Sequence, residues 1–256
     1  MPSASVTKMH GACNDFVVLD ERLNSVPDLS RFAKQVCDRR AGIGADGLIA
    51  LSASPVADIR MRIVNADGSE AEMCGNGIRC AVRYLHELGQ GERFRVETLA
   101  GVVNAQVLEK EPQFLVRVEI GKPRVQITER ENGAAFVDVG NPHEVYFVSA
   151  LEDFDLAAAA KAMPQYNVHA ATVVNRGCIQ VRHYERGAGE TFACGTGAVA
   201  CAAVAIERGW CDSPVEVRVP GGVLSVEWDG ANSAFLTGPA ERVFETTVSI
   251  GDALLA

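Results

Sequence analysis

The chain has 256 residues, of which 48% are apolar and 22% are charged. That suits one large domain or two ordinary ones with a proper core, and it excludes a disordered or fibrous protein. A net charge of −9 argues against nucleic acid as a partner, because phosphate binding needs a basic face. No apolar run approaches the roughly 20 residues of a membrane helix, and the start, MPSASVTKMHG, lacks the apolar core of an export signal. We therefore expect a cytoplasmic protein with no membrane partner.

Short strands and a few helices are predicted along the chain. Alternating or β-branched-rich runs predict strands at 16–20, 58–65, 94–97, 101–110, 114–120, 134–140, 145–150, 178–185, 215–220, 224–230 and 234–240. Helical patterns occupy 29–40, 78–89, 153–166 and 198–209. The second and the fourth of these helices end in Gly, the residue favoured just past a helix C-terminus.

Two stretches of the chain repeat each other. EMCGNGIRC at 72–80 and FACGTGAVAC at 192–201 each place Cys, Gly, a small polar residue and Gly before an apolar helical run. Gly and Asn also lead into strands at 10–20 and at 139–148. We predict a duplicated α+β fold. A Gly/Pro break at 120–125 divides it into an N-terminal half, 1–119, and a C-terminal half, 120–246, and a final strand at about 247–256 is expected to return to the first half.

The two cysteine turns predict acid–base chemistry. The first turn of a helix carries unpaired N–H groups and a partial positive charge, which suit a carboxylate. The same position is expected to lower a thiol pKa from about 8.5 to roughly 3.5–7.5. If the two halves face each other across a cleft, Cys74 and Cys194 lie on opposite sides of one small molecule. One thiolate then removes the proton beside a carboxylate, the other thiol returns a proton to the opposite face, and the stereocentre is inverted.

We expect no cofactor and no metal. The chain has no C-x-x-C pair and no H-E-x-x-H motif, and its five lysines lie in no recognisable pyridoxal motif. The run GIGADG at 42–47 lacks the context of a dinucleotide-binding turn. An amino acid substrate is favoured by Glu185 and Arg186, because they suit an ammonium and a carboxylate. The alternative for these two residues is a surface ion pair.

Six stretches of the chain together resemble the motif series of the diaminopimelate epimerase family: KMHGACNDF (8–16), RRAGIGADGL (39–48), NADGSEAEMCGNGIRC (65–80), GNPH (140–143), YERGAGETFACGTGAVA (184–200) and VPGGVLSVEW (219–228). The resemblance runs from about residue 8 to the C-terminus. It implies two pseudo-symmetric α/β halves, each a mixed or antiparallel sheet wrapped on a central helix, with the active site in the cleft between them. It also implies a homodimer that converts LL-2,6-diaminoheptanedioate to the meso form without cofactor or metal, for lysine and peptidoglycan precursor synthesis.

The resemblance assigns roles to individual residues. Cys74 and Cys194 match the acid–base pair, and His143 and Glu185 match the groups that tune it. The matching donors to the reacting carboxylate are Gly75, Asn76, Gly195 and Thr196. The other matching substrate ligands are Asn14, Asn65, Asn141, Asn167, Glu185 and Arg186.

Three positions depart from the family pattern. Gly47 stands where many members have Gln, and Cys13 replaces a common Gly. After Asn167 the chain continues with Val and His, where the family more often has NVEF.

Three alternatives remain open. A related cofactor-independent racemase of another amino acid, such as histidine, would leave Asn65, Asn167, Glu185 and Arg186 without a distal amino acid end to bind. A non-enzymatic ligand-binding member would have no use for two cysteines. A proline-racemase-like enzyme shares the chemistry but not the contexts NADGSE and YERGAGET.

Overall fold

The computed structural model describes residues 3–127 and 134–250. In chain order the elements are β1 Ser3–Gly11, β2 Asn14–Asp20, α1 Leu29–Cys37, β3 Gly47–Ser52, β4 Ile59–Asn65, β5 Glu70–Ala71, α2 Gly75–Glu87, β6 Arg93–Thr98, β7 Gly101–Glu109, β8 Leu115–Gly121, β9 Arg124–Ile127, β10 Ala135–Asp138, β11 Pro142–Phe147, α3 Leu156–Ala162, β12 Asn167–Asn175, β13 Cys178–Glu185, β14 Gly189–Thr191, α4 Gly195–Glu207, β15 Val215–Val219, β16 Gly222–Glu227, β17 Ala234–Pro239 and β18 Glu241–Ser249.

Two compact units divide the chain. The described residues up to Val118 and from Pro239 onward form unit 1, and the described part of Glu119–Gly238 forms unit 2. The chain passes from one unit to the other inside β8 and returns inside β17. The sequence pattern places the return strand at about 247–256, whereas the strand that pairs with β1 is β18, from Glu241. Residues 251–256 of that predicted strand lie outside the described residues.

The sheet of unit 1 is mixed. Strand β1 pairs antiparallel with β18 and β2, and β2 runs parallel to β3. Strand β4 is antiparallel to β3 and parallel to β6, after which β7 and β8 follow antiparallel. Helix α2 packs against β1 to β4, β7 and β18. Helix α1 begins where the Asp28 carboxylate accepts from the Arg31 N–H at 3.0 Å, and it buries Leu29, Phe32 and Val36 against the sheet.

Unit 2 repeats this pairing element by element. Strand β10 pairs antiparallel with β9 and β11, β11 runs parallel to β12, β12 is antiparallel to β13, and β13 is parallel to β15. Strands β16 and β17 continue antiparallel. Helix α4 packs against β9 to β13, β15 and β16. The prediction of two pseudo-symmetric α/β halves, each with a mixed sheet around a central helix, is confirmed.

The two central helices bury different kinds of side chain. Every residue of α4 from Gly195 to Ala205 is buried, and most of them are Gly, Ala or Val. Small side chains on all sides let strands approach the helix closely, and a helix that is apolar all round belongs in a core. Helix α2 is also largely buried but carries the guanidinium of Arg79 inside the unit.

Several elements differ from those that the sequence pattern predicts. Helix α1 ends at Cys37 instead of residue 40, and α3 covers only Leu156–Ala162 of the predicted 153–166. Strands β1, β3, β5, β9, β12 and β14 have no counterpart in the predicted elements. Strand β1, SASVTKMHG, is rich in small and polar residues, and it is extended because β2 and β18 pair with its two edges.

Candidate active site

The first cysteine lies where α2 begins. Cys74 is the N-cap residue of the helix, in extended conformation, and its Sγ accepts from the Gly77 N–H at 3.5 Å. The thiol also donates to Asn14 Oδ1 at 3.7 Å, and the Asn76 amide donates to the same oxygen at 3.1 Å. Unit 1 therefore brings together three predicted site residues, Asn14, Cys74 and Asn76. Cys74 is half-buried.

The amide of Asn14 is oriented by an ionic network. Its Nδ2 donates to Asp46 Oδ2 at 2.7 Å, so its Oδ1 faces the cysteine turn. Arg39 bridges Asp46 and Asp15 at 2.8 Å to each. Burial alone would raise the pKa of Asp15, but hydrogen bonds from Arg39 and Lys8 lower it to about 2. This ion-paired cluster thus holds one end of the asparagine.

A buried cation lies one turn into α2. The Arg79 side chain is fully buried, and its Nε donates to the Pro239 carbonyl at 2.9 Å. Burial lowers the pKa of Arg79 to about 10, against the opposing effect of Cys80 and Cys74. Its two terminal nitrogens have no hydrogen-bond partner among the described residues. A Cβ on Gly11 would lie 3.0 Å from one of them, so a side chain at this position would collide with the guanidinium.

The second cysteine lies at the start of α4. Cys194 is buried, and its Sγ is 3.6 Å from Thr196 Oγ1. Burial and the neighbouring Glu185 carboxylate raise the pKa of Cys194 well above its usual value, while the Thr196 hydroxyl opposes them. The prediction that the helix N-terminus lowers the pKa of both cysteines is therefore wrong for Cys194, because desolvation and a nearby negative charge outweigh the helix.

A row of polar side chains runs from this turn into the core of unit 2. Asn141 Nδ2 lies 3.5 Å from Thr196 Oγ1, and Asn141 Oδ1 lies 2.8 Å from His143 Nε2. His143 Nδ1 is 2.8 Å from His169 Nε2, and His169 Nδ1 is 2.9 Å from His183 Nδ1. The three imidazoles stand in a row instead of converging on a point. Within the described ranges, no group of three or more His, Cys, Asp or Glu side chains is arranged to hold a metal ion.

The predicted ligands of a distal amino acid end lie near this row. Asn167 accepts from the Arg186 N–H at 3.0 Å and donates to the Pro142 carbonyl at 3.4 Å. The Thr191 hydroxyl donates to Glu185 at 2.6 Å. Unit 2 thus contains all eight of the site residues predicted for it: Asn141, His143, Asn167, Glu185, Arg186, Cys194, Gly195 and Thr196.

One predicted ligand, Asn65, ends β4 in unit 1 and donates to Ser69 Oγ at 2.9 Å. It occupies the position that Glu185 holds in unit 2, since β4 and β13 are equivalent strands that end nine residues before their cysteines.

Other side chains in these networks were not predicted as site residues: Lys8, Asp15, Arg39, Asp46, Arg79, His169, His183 and Thr191. Asp46 lies in the GIGADG run and His169 in the stretch that departs from the family pattern, so both positions carried a signal. Arg79 also lies in a family motif, NADGSEAEMCGNGIRC, whereas His183 follows a strand pattern of ordinary appearance and nothing in the sequence marks it.

Comparison with known proteins places the chain in a family. The diaminopimelate epimerase family model matches residues 6–126 and 135–243. The chain belongs to the diaminopimelate epimerase family. It is 41% identical over 270 residues to diaminopimelate epimerase of Pelotomaculum thermopropionicum, covering 93% of this chain and 96% of that protein. It is 42% identical over 274 residues to the enzyme of the same name from Azotobacter vinelandii, covering 95% and 98%.

Solved structures share the fold of this family member. A PhzF-family phenazine biosynthesis protein of Bacillus anthracis superposes with a TM-score of 0.79 at 18% identity, covering 98% of this chain and 100% of that one. A hydroxyproline epimerase from Agrobacterium vitis gives a TM-score of 0.70 at 16% identity, covering 97% and 91%. At such identities the likeness shows the fold alone. Among the described residues, no helix combines the length and the apolar character needed to cross a bilayer.

Proposed function

We propose that the protein is an isomerase that converts LL-2,6-diaminoheptanedioate to the meso form by a two-thiol mechanism. Membership of the family supports the substrate and the reaction. The observation that carries the mechanism is that equivalent helices in the two units each begin directly after a cysteine, Cys74 before α2 and Cys194 before α4. The product serves lysine and peptidoglycan precursor synthesis, and the protein is a homodimer, as the resemblance of its motifs implies. We also propose that it acts in the cytoplasm.

One thiol is the acid and the other is the base, and the two exchange these roles in the reverse reaction. Cys194 enters as the protonated acid, since burial and Glu185 raise its pKa well above the usual value. Cys74 enters as the thiolate base, beside the buried charge of Arg79. The proton leaves the α-carbon from one face and a new one arrives on the other. Glu185 supports this role by accepting from the Cys194 thiol, which keeps the sulfur protonated until the α-carbon takes the proton.

The helix N-termini provide the electrostatic part of catalysis. Negative charge grows on the substrate carboxylate as the α-proton leaves, and N–H groups pointed at a developing charge stabilise it. The first-turn N–H groups of α2 and α4 have no partner within their helices, so the amides of Gly75, Asn76, Gly195 and Thr196 are the proposed donors. Asn14 and Asn141 bind the reacting end, and the distal amino acid end is bound by Asn65, Asn167, Glu185 and Arg186. Two thiols supply an acid and a base, so we propose that no cofactor or metal takes part.

Single alanine variants test this proposal. Cys74→Ala and Cys194→Ala are each expected to lose LL-to-meso conversion. Each variant is expected to keep slow exchange of the α-hydrogen in D2O, from opposite stereoisomers, because the remaining thiol still reaches one face. Cys80→Ala and Cys201→Ala serve as controls, since both are buried cysteines on the same two helices, and they should retain conversion.

Two outcomes would reject the proposal. Near wild-type conversion by either active-site variant would mean that a single group performs both transfers. Racemisation of L-histidine by the wild type, without action on diaminoheptanedioate, would replace the substrate with that of a related racemase.

The wild-type protein is expected to show a bell-shaped dependence of activity on pH, because one thiol is ionised and the other is not.

A further inference from the structure

The row of histidines in unit 2 has no counterpart in unit 1. The equivalent strands pair Phe16 with Gly47 and Ile49 with Ile63 in unit 1, and His143 with Asn167 and His169 with His183 in unit 2. The positions of His143, His169 and His183 are therefore held by Phe16, Ile49 and Ile63. The packing agrees, since a Cβ on Gly77 would meet Ile49 and Ile63, and a Cβ on the equivalent Gly197 would meet the His169 ring. Apolar side chains fill the three equivalent positions in unit 1, so packing alone does not require histidines at these positions in unit 2.

The position of the proton on each histidine ring can be assigned from His183, the buried end of the row. The three rings are buried, and burial lowers the pKa of His143 and of His183 to about 3, so each ring is neutral at neutral pH and carries one N–H. His183 Nε2 has no hydrogen-bond partner among the described residues. A buried N–H without a partner is rarer than a buried acceptor without one, so the proton of His183 lies on Nδ1, where it donates to His169 Nδ1. The same assignment follows from the other end of the row, since Asn141 donates from Nδ2 to Thr196 and its Oδ1 must accept from His143.

The remaining tautomers are then determined in sequence. His169 Nδ1 accepts, so its proton lies on Nε2 and is donated to His143 Nδ1. His143 therefore carries its proton on Nε2 and donates it to Asn141 Oδ1. That amide must present its Nδ2 to Thr196 Oγ1, and a hydroxyl that accepts from Asn141 has its own proton to give to Cys194 Sγ. All the donors of the row point toward the sulfur.

The equivalent asparagine in unit 1 is turned the other way. Asn14 donates from Nδ2 to the Asp46 carboxylate and offers its Oδ1 to the cysteine turn, where the Cys74 thiol donates. The two units therefore present opposite ends of equivalent amides to their cysteines. An acceptor faces the Cys74 sulfur, and a chain of donors ends at the Cys194 sulfur.

We propose that His169 and His183 are positioning residues that fix the orientation of the Asn141 amide, so that the Thr196 hydroxyl donates to Cys194. That hydrogen bond stabilises the thiolate left on Cys194 when it delivers its proton to the α-carbon, and the same thiolate is the base in the reverse direction. The catalytic consequence rests on the proposed function of the two thiols, whereas the positions of the protons follow from the structure alone.

Histidine NMR tests the proton positions directly. In the full-length protein with 15N-labelled histidine, long-range 1H–15N correlations distinguish the two tautomers of each ring. We expect the Nδ1–H form for His183 and the Nε2–H form for His169 and His143. The opposite tautomers for the three rings, or a charged His143 at neutral pH, would overturn the inference whatever the outcome of the activity assays.

A pair of substitutions tests the catalytic consequence. His169→Ile introduces the unit 1 residue and removes the donor to His143, whereas His169→Gln keeps an amide donor. Exchange of the α-hydrogen by Cys194 is measured in the Cys74→Ala background, and exchange by Cys74 in the Cys194→Ala background. We expect His169→Ile to slow the Cys194 exchange about tenfold and leave the Cys74 exchange within about twofold. His169→Gln should restore the Cys194 exchange to within about threefold.

The outcomes separate the two proposals. Equal slowing of both exchanges, or no slowing of either, means that His169 acts only in folding or not at all, and the positioning role is rejected while the two-thiol mechanism stands. Failure of Gln to rescue also rejects it. Near wild-type conversion by a cysteine variant rejects the two-thiol mechanism, and the NMR result still decides the proton positions.

Discussion

The two units share one order of strands and helices, but they surround their cysteines differently. In unit 1 Ile49 and Ile63 lie against Gly77 of the helix that follows Cys74, and this helix carries the buried Arg79. In unit 2 the His169 ring, at the centre of the histidine row, lies against Gly197 of the helix that follows Cys194, and Val199 holds the position of Arg79. A repeated fold thus places two thiols equivalently, while the side chains below them give one sulfur a cationic neighbour and the other a carboxylate and a chain of donors. Equivalent positions can therefore perform opposite steps of one proton exchange.

The largest expected effect comes from making unit 2 resemble unit 1 at Glu185, where unit 1 has the uncharged Asn65. Glu185→Gln keeps the shape and removes the negative charge that raises the pKa of Cys194. We expect kcat to fall on the order of 10²–10³-fold, the range of a lost acid–base partner. The pKa of Cys194 should fall, so the basic limb of the pH profile should move to lower pH.

Glu190→Gln is the matched control, because Glu190 is an exposed residue of β14 that pairs with Arg182 at 2.8 Å. It should leave kcat and the pH profile unchanged. An unshifted basic limb in Glu185→Gln would show that the carboxylate does not govern the Cys194 thiol.

The next expected effect is a dependence of the free energy of unfolding on pH. Burial lowers the pKa of His143 and His183 to about 3 and that of His169 well below its usual value, with only Asp138 favouring protonation of His143. Below about pH 6.5 the unfolded chain binds protons that the folded chain does not. Stability is therefore full above that pH and falls as the pH drops toward 3, by up to roughly 1.4 kcal/mol per pH unit for each histidine.

Urea unfolding at pH 7.0, 6.0 and 5.0 measures this slope. The variant that carries the unit 1 residues, His143→Phe with His169→Ile and His183→Ile, should show a flatter dependence than the wild type. Equal slopes in the two proteins would mean that the row does not stay neutral in the folded state.

The smallest expected effect is a change in the free energy of unfolding on substitution in the turns before Asn14 and Asn141. Gly140 has φ 95° and Cys13, its counterpart in unit 1, has φ 63°, both in the left-handed region that disfavours side chains. A Cβ on Gly140 would meet nothing within 4 Å, so Gly140→Ala tests the backbone alone and should lower the free energy of unfolding by roughly 1–2 kcal/mol. Cys13→Gly should raise it by less, because glycine gains entropy in the unfolded chain. A stabilised Gly140→Ala would contradict the assigned conformation.

Much of the candidate site is local in sequence and was predicted. Each cysteine turn is a short motif in which Cys, two glycines and an apolar run specify a helix start, and α2 and α4 begin directly after the cysteines, three residues before the predicted runs at 78–89 and 198–209. The repeat of that motif, with Asn before a strand in each half, also predicted the duplication. Strands β1, β3, β5, β9, β12 and β14 were missed. Strand β1 shows one reason, since pairing with β2 and β18 extends residues whose own pattern does not predict a strand.

The sequence by itself determined which residues stand at the two helix starts and to which family the chain belongs, because short-range motifs encode both. Only the tertiary structure decided what surrounds each thiol. Helix position alone predicts a lowered thiol pKa, but packing buries Cys194 beside Glu185 and raises it. In the same way, His143, His169 and His183 are far apart in the chain, and only the pairing of β11, β12 and β13 aligns their rings. Charge and hydrogen-bond direction depend on distances in space, which a sequence pattern does not contain.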